Sequence, residues 1–297
     1  LRSTIGSYDR SVIEHALSFF TPKNLRLKVI SKDVKTTQVC AFYEAEYSVE
    51  NIDDSLLRSL ESAKRISALR LPPPNPYLAS EYTLILPETG FNIPNKLVDD
   101  GGYRFWFAQD QQFHSPKGDI YISFDTARFS DSLTSVAAKR IWLGALNDHL
   151  QAKYYRAEIA GLHYRIYGHQ AGFTLHTRGF TNQQTLLASQ LLDAVLEFTP
   201  DERVFEHHKA LQIQSLHNSL LNKPTNRLFS RLSVLIQRNT QAPVELLDVI
   251  ENISYQEMLS CRNNAFEHYF VEAFMHGNWA SEEAKGFSTE LRNHCIN

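Results

Sequence analysis

The amino-acid sequence predicts an α+β fold, an antiparallel sheet covered by helices. Three observations carry this. From about residue 82 onward the elements run strand–strand–helix–strand–strand–helices–strand, without the βαβ alternation of a parallel nucleotide-binding sheet. Residues 118–124 alternate Ile120, Ile122 and Phe124 with Tyr121 and Ser123, the period of a strand with one buried face. Leu133, Val136, Leu143, Leu146, Leu150 and Tyr154 recur at steps of three, four or seven, the stripe of a long amphipathic helix capped by Asp131 or Ser132.

Ahead of that unit, Val12, Ile13, Ala16, Leu17 and Phe20 mark a helix over 9–21, which Thr21-Pro22 stops. Leu25, Leu27 and Val29 alternate with Arg26, Lys28 and Ile30 as in a half-buried strand, and the β-formers of 39–43 predict another. A short helix follows over 53–63, capped by Asp53 or Asp54, with Leu56, Leu57 and Leu60 turned inward. Two helices and two strands make a small core, so residues 1–65 are expected to be the C-terminal end of a preceding α+β domain. Pro72, Pro73, Pro74 and Pro76 forbid helix and withhold the amides of a central strand. Residues 66–92 are therefore expected to be an extended, proline-rich interdomain strap.

Residues 93–297 are expected to form a non-catalytic α+β domain. Strands are predicted at 105–107 and 118–124, then the long helix, then a hairpin of 162–170 with 173–180 around Ala171-Gly172, in which Gly179 is a candidate bulge. Helices follow at 182–198, 201–221, 226–238, 244–252 and 255–263. A closing strand at 267–275 ends at His276-Gly277-Asn278.

The composition, 43% hydrophobic and 21% charged over 297 residues, excludes wholesale disorder and suggests two domains by length alone. Thirty Lys+Arg against 33 Asp+Glu leave a formal charge of −3, which predicts no nucleic-acid partner. Apolar runs such as 39–43 and 234–236 are far too short to cross a bilayer, so no membrane partner is predicted. No apolar stretch of a signal peptide follows Leu1-Arg2-Ser3-Thr4, and a start at Leu predicts a piece of a longer chain. Cys40, Cys261 and Cys295 form no C-x-x-C pair, which argues against a disulfide framework or a Cys-rich zinc module.

Catalytic patterns are absent from the sequence. A zinc peptidase helix needs H-E-x-x-H or H-x-x-E-H, because residues four apart share a face and reach one ion. The nearest approaches are Glu206-His207-His208 and Glu267-His268. Adjacent histidines on a helix point about 100° apart and chelate poorly. His208, at the apolar edge of its helix, is expected to be a core or boundary residue. His163, His169 and His176 share the predicted hairpin, where cross-strand pairing could bring two together, but no carboxylate accompanies them in the sequence. No G-x-S-x-G occurs, and Asp100-Gly101-Gly102 is expected to be a turn rather than a phosphate cradle. Glu202 and Glu206 are expected to be solvated carboxylates in a first helical turn. Tyr103, Phe105, Trp106 and Phe107 could stack bases, but without a basic groove they are expected to be core strand residues.

Five stretches in order carry a resemblance: FTPKNLRLKVISK at 20–32, LRLPPPNPYLASEY at 69–82, RFWFAQDQQFHSPKGDIYISF at 104–124, YRAEIAGLHYRIYGHQAGFTLHTRGF at 155–180 and FMHGN at 274–278. Together they resemble the middle of the insulinase/pitrilysin family of zinc metallopeptidases. The resemblance implies the metallohydrolase-like fold of that family and of the mitochondrial processing peptidases. Members carry four similar α+β domains in two halves that close around a peptide chamber, and the first domain holds the zinc motif H-x-x-E-H. The counterpart of that helix here, about 136–155, holds only His149. The resemblance therefore implies no catalytic and no metal residue in this chain, no cofactor of its own, and zinc bound outside this region. Substrate-binding residues stay unassigned.

The expected partners are the catalytic N-terminal half of the same protein and peptide substrates. The expected role is the substrate-chamber portion of a bacterial zinc metalloendopeptidase, inactive alone. The alternative is a naturally inactive partner subunit, or a peptide-binding protein, related to the same family. The periplasm is implied by resemblance to a bacterial member, with the cytoplasm as the alternative.

Overall fold

An aspartate cap starts each α-helix described in the first part of the chain. Asp9 accepts from the Ser11 amide at 2.9 Å and opens α1 (Arg10–Leu17). Strands β1 (Gln38–Val39) and β2 (Glu46–Tyr47) form a minimal antiparallel ladder. Asp53 accepts from the Ser55 amide at 2.7 Å and opens α2 (Asp54–Glu61). The computed structural model describes residues 9–64, 66–237 and 240–295, and it separates into two units between Pro72 and Pro73. Residues 1–4, and Arg238 at the expected end of a helix, lie outside the described residues.

No described residue in 9–72 is buried; Phe20 is 85% exposed and Ile30 83%. Apolar side chains at this exposure contribute little, because the hydrophobic gain scales with the area removed from water. The strand expected at 25–30 belongs to no ladder, and the one expected at 39–43 shrinks to the first of the two short strands. The alternating sequence favours a strand; the ladder also needs a neighbour with free amides and carbonyls. Among the described residues of this unit none is supplied.

The second unit carries the packed core. Its strands are β3 (Asn95–Asp100), β4 (Tyr103–Gln109) and β5 (Lys117–Asp125), followed by α3 (Leu133–Ile159) and the hairpin β6 (His163–Gly168) and β7 (Gly172–Phe180). Then come α4 (Gln184–Glu197), α5 (Glu202–Leu220), α6 (Pro224–Ile236), α7 (Pro243–Asn252), α8 (Tyr255–Glu267), β8 (Phe270–Gly277) and α9 (Ser281–Cys295). The sheet order is β3-β4-β8-β5-β7-β6.

The fold is α+β with helices on the sheet, as expected, and one pairing departs from the antiparallel expectation. β4 and β8 run parallel, Phe105 opposite Ala273, while the other four pairings are antiparallel. The chain between those two strands passes through β5–β7 and helices α3–α8, a crossover long enough to deliver β8 in the same direction as β4. Gly179 does not bulge: it stays in register opposite Gly118, with φ 147°. The irregularity lies instead between Lys96 and Val98 in β3.

One sheet face meets the helices. Phe105, Phe107, Ile120, Ile122, Phe124, Phe173, Leu175, Val271, Ala273 and Met275 are at most 1% exposed. Phe124 stacks on Phe173 at 4.9 Å, and Trp142 of α3 meets Phe173 and Phe266 edge-on at 5.4 and 5.6 Å. Gly172 is needed for close approach, since a Cβ there would lie 1.8 Å from the Phe124 carbonyl oxygen. Ser132 caps α3 by accepting from the Ser135 amide at 3.0 Å. The expected stripe is buried except Leu133, but Ala137, Ala138, Ile141, Trp142 and Ala145 are buried too, so α3 is the central helix of the layer.

The residues after Pro72 are latched onto this unit rather than free. Arg156 Nη2 donates to the Pro73 carbonyl at 2.6 Å, and Tyr77 Oη donates to Gln190 at 2.6 Å. Asn278 accepts from the Ile85 amide at 2.8 Å and donates to the Thr83 carbonyl at 2.9 Å. An extended, proline-rich segment lacks internal hydrogen bonds, so these side chains supply the partners.

Candidate functional site

The pleat sends alternate residues of the same strands to the second sheet face, which among the described residues no helix covers. Trp106, Tyr121, Phe274 and Glu272 stand there, half-buried, around a shallow cavity of about 310 Å³ whose rim includes Tyr167 and Thr174. Trp106 Nε1 donates to Glu272 Oε1 at 2.9 Å, and Arg104 Nη1 donates to the same oxygen at 3.3 Å. Tyr121 stacks on His176 at 4.0 Å and lies 6.3 Å from Phe274. Aromatic faces beside paired charges on an open sheet suit an extended peptide, whose side chains offer both apolar and polar groups. Flanking this face, β3 and β6 are the sheet edges.

The histidines expected on the hairpin do not converge. His163, His169 and His176 lie opposite Arg178, off the ladder and opposite Arg165, respectively. The expectation that no carboxylate accompanies them is corrected: His163 Nδ1 contacts Glu158 at 2.5 Å, His176 Nε2 contacts Asp119 at 2.7 Å, and His169 Nε2 lies 3.6 Å from Asp125. Asp119 and Asp125 come from β5, distant in sequence, whereas Glu158, at the end of α3, lies only five residues before His163, and each histidine takes a different carboxylate.

On the helical side, His208 is 5% exposed, as expected for a boundary residue, with Nε2 3.3 Å from Asp148. Burial lowers its pKa, partly opposed by Asp148. His149 and His207 line the same cleft, of about 940 Å³, and the His207 and His208 rings meet edge-on at 83°. Burial, then Lys153, lowers the pKa of His149. Among the described residues, no three His, Cys, Asp or Glu side chains are grouped to hold a metal ion. Glu202 and Glu206 are exposed on α5, which Asp201 caps, and Glu267-His268 ends α8 without further ligands. Asp100-Gly101-Gly102 forms the turn from β3 to β4, where Asp100 accepts from Arg292 at 2.9 Å.

Of the aromatic cluster, Tyr103, Phe105 and Phe107 are core residues as expected, whereas Trp106 faces the open side. The signal was the strand period itself, which puts Trp106 opposite its neighbours. The surface role of Glu272 and Phe274, on β8, is not legible in the sequence, because it depends on β8 lying between β4 and β5.

This fold, with helices on one sheet face and the other face open, is a known one. The chain belongs to the M16 peptidase family, the insulinase/pitrilysin group: residues 2–249 match the family's "Middle or third domain of peptidase_M16". It is 26% identical over 279 residues to the insulin-degrading enzyme of Drosophila melanogaster, covering 92% of this chain and 28% of that protein. It is 24% identical to the A-factor-processing enzyme of Saccharomyces cerevisiae, covering 94% and 28%, and 25% identical to human nardilysin, covering 94% and 25%. A crystal structure of pitrilysin superposes with a TM-score of 0.79 at 21% identity, over 97% of this chain and 31% of that one. The chain thus spans less than a third of the length of these relatives.

Proposed function

We propose that the chain is the non-catalytic, middle portion of a zinc metalloendopeptidase and forms part of the wall of its peptide chamber. The observation that carries this is the family match over residues 2–249, taken with a central helix that holds one histidine, His149, and no H-x-x-E-H spacing, where a catalytic domain needs two histidines and a glutamate on one face. In this reading residues 1–65 end a preceding domain, 66–92 are the strap, 93–297 are the third domain, and zinc is bound elsewhere in the parent protein. The latches from Pro73 onward support a strap whose freedom lies in residues 66–72. Peptide is held weakly, by the open sheet face and the strand edges. The compartment, periplasm by resemblance or else cytoplasm, is tested by fractionating the source cells.

A fluorescein-labelled unfolded peptide titrated against the chain and followed by anisotropy tests the wall reading. Saturable weak binding is expected, reduced at least fivefold by Trp106→Ala or Phe274→Ala. Binding unchanged in both variants contradicts the assignment of this face.

A further inference from the structure

A second cleft, of about 610 Å³, opens between α3, the turn joining β6 and β7, α5, and the described residues Gln237, Thr240 and Gln241. Its described lining includes Lys139 and Arg140 and no Asp or Glu. Lys139 is only 6% exposed. Its ammonium donates to the His169 carbonyl at 2.7 Å, which leaves two of its three protons without an acceptor among the described residues. Arg140, the next residue on α3, makes no ion pair among the described residues. The His169 ring is already held by Ser123, 3.1 Å from Nε2, with Asp125 3.6 Å away.

A charge taken out of water, as on Lys139, is ordinarily paired, because the lost hydration costs several kcal/mol, whereas Arg140 is exposed at the same cleft. Two adjacent cations facing one cleft repel each other as well. The other polar side chains of the described lining, apart from His169, are neutral amides and a hydroxyl, among them Asn147, Gln170, Gln212 and Thr240, and Gln170 donates to Thr240 at 3.3 Å. A bound anion would accept the spare ammonium protons and offer the guanidinium a two-pronged partner. The volume falls in the range of pockets for small organic ligands, about 300–1,000 Å³.

We propose that this cleft binds a small oxyanion, a carboxylate or a phosphate group, through Lys139 and Arg140. It lies on the helical side of the domain, whereas the proposed peptide surface is the open sheet face, so the two assignments stand or fall separately.

The whole chain is titrated by calorimetry in chloride buffer with inorganic phosphate, with trialanine and with trialanine amide. At least one saturable one-to-one isotherm is expected. Binding of phosphate identifies a phosphate source, and binding of trialanine but not of its amide identifies a carboxylate source. Arg140→Gln and Lys139→Met each weaken that binding tenfold or more, while Arg178→Gln, an exposed cation on the other face, leaves it unchanged. Arg140 projects from the helix surface, so its variant keeps the fold, as circular dichroism checks. No saturable binding by any probe overturns the proposal. So does an unchanged affinity in both cleft variants, or an equal loss in Arg178→Gln.

Discussion

Replacing Lys139 by methionine should stabilise the protein at neutral pH, an unusual outcome for a buried position. Burial, with Arg140 beside it, lowers the ammonium's pKa from 10.5 to about 8. At about 1.36 kcal/mol per pH unit, that difference corresponds to about 3 kcal/mol by which folding disfavours the charged form. Methionine fills a similar volume without that penalty, but leaves the His169 carbonyl without the bond that Lys139 makes at 2.7 Å, a loss of about 1 kcal/mol. The expected net gain at pH 7 is about 1–2 kcal/mol.

The pH dependence follows from the sign of the shift. With the folded-state pKa below the unfolded one, the unfolded chain keeps its proton longer as pH rises, so this contribution to stability grows between about pH 8 and 10.5. The advantage of Lys139→Met therefore shrinks across that window. Tyr164, Tyr269 and Cys295, all pushed up to about 12 by burial, act in the opposite sense at high pH, but equally in both proteins. Urea unfolding at pH 7 and 10 in phosphate-free buffer measures the difference. Trp106, Trp142 and Trp279 all lie in the second unit, so tryptophan fluorescence reports that unit. A Lys139→Met variant less stable than the parent by a pH-independent amount refutes the reasoning.

Other consequences are equally open to measurement. Phe124→Ala removes a ring 1% exposed and stacked on Phe173, and should cost about 3–5 kcal/mol in the same urea assay. Iodoacetamide at pH 8 should label Cys40 first, since backbone amides of Tyr43 and Phe42 lower its pKa, while burial raises Cys261 and pushes Cys295 up to about 12. Peptide mass spectrometry gives the order. Limited trypsin should digest residues 9–72, where nothing described is buried, and leave a fragment starting near Leu71, identified by its mass.

How far the sequence carried depended on whether a signal was local. The long helix, the hairpin and the strand at 117–125 were legible because their apolar residues keep one period throughout. The helix Ser281–Cys295 was not, because it buries Ser281, Ala284, Ser288 and Cys295 alongside Phe287 and Leu291, a stripe too polar to stand out. Strand Asn95–Asp100 is short, polar and irregular at Lys96–Val98, and it owes its existence to the neighbouring β4. The strand expected at 25–30 shows the converse, a strong pattern with no partner. The absence of a zinc motif was readable, because such a motif is local. The open face with Trp106 and Glu272, and the cation pair Lys139 and Arg140 in its cleft, depend on distant segments meeting.

If this stretch of the M16 family contributes scaffold and surface rather than chemistry, as proposed, the isolated chain holds no catalytic metal. Zinc content after equilibration with the metal and gel filtration, read together with peptide cleavage by the same sample, tests it most directly. Substoichiometric zinc and no chelator-sensitive cleavage are expected. One tightly held zinc per chain with peptidase activity abolished by a chelator would contradict it.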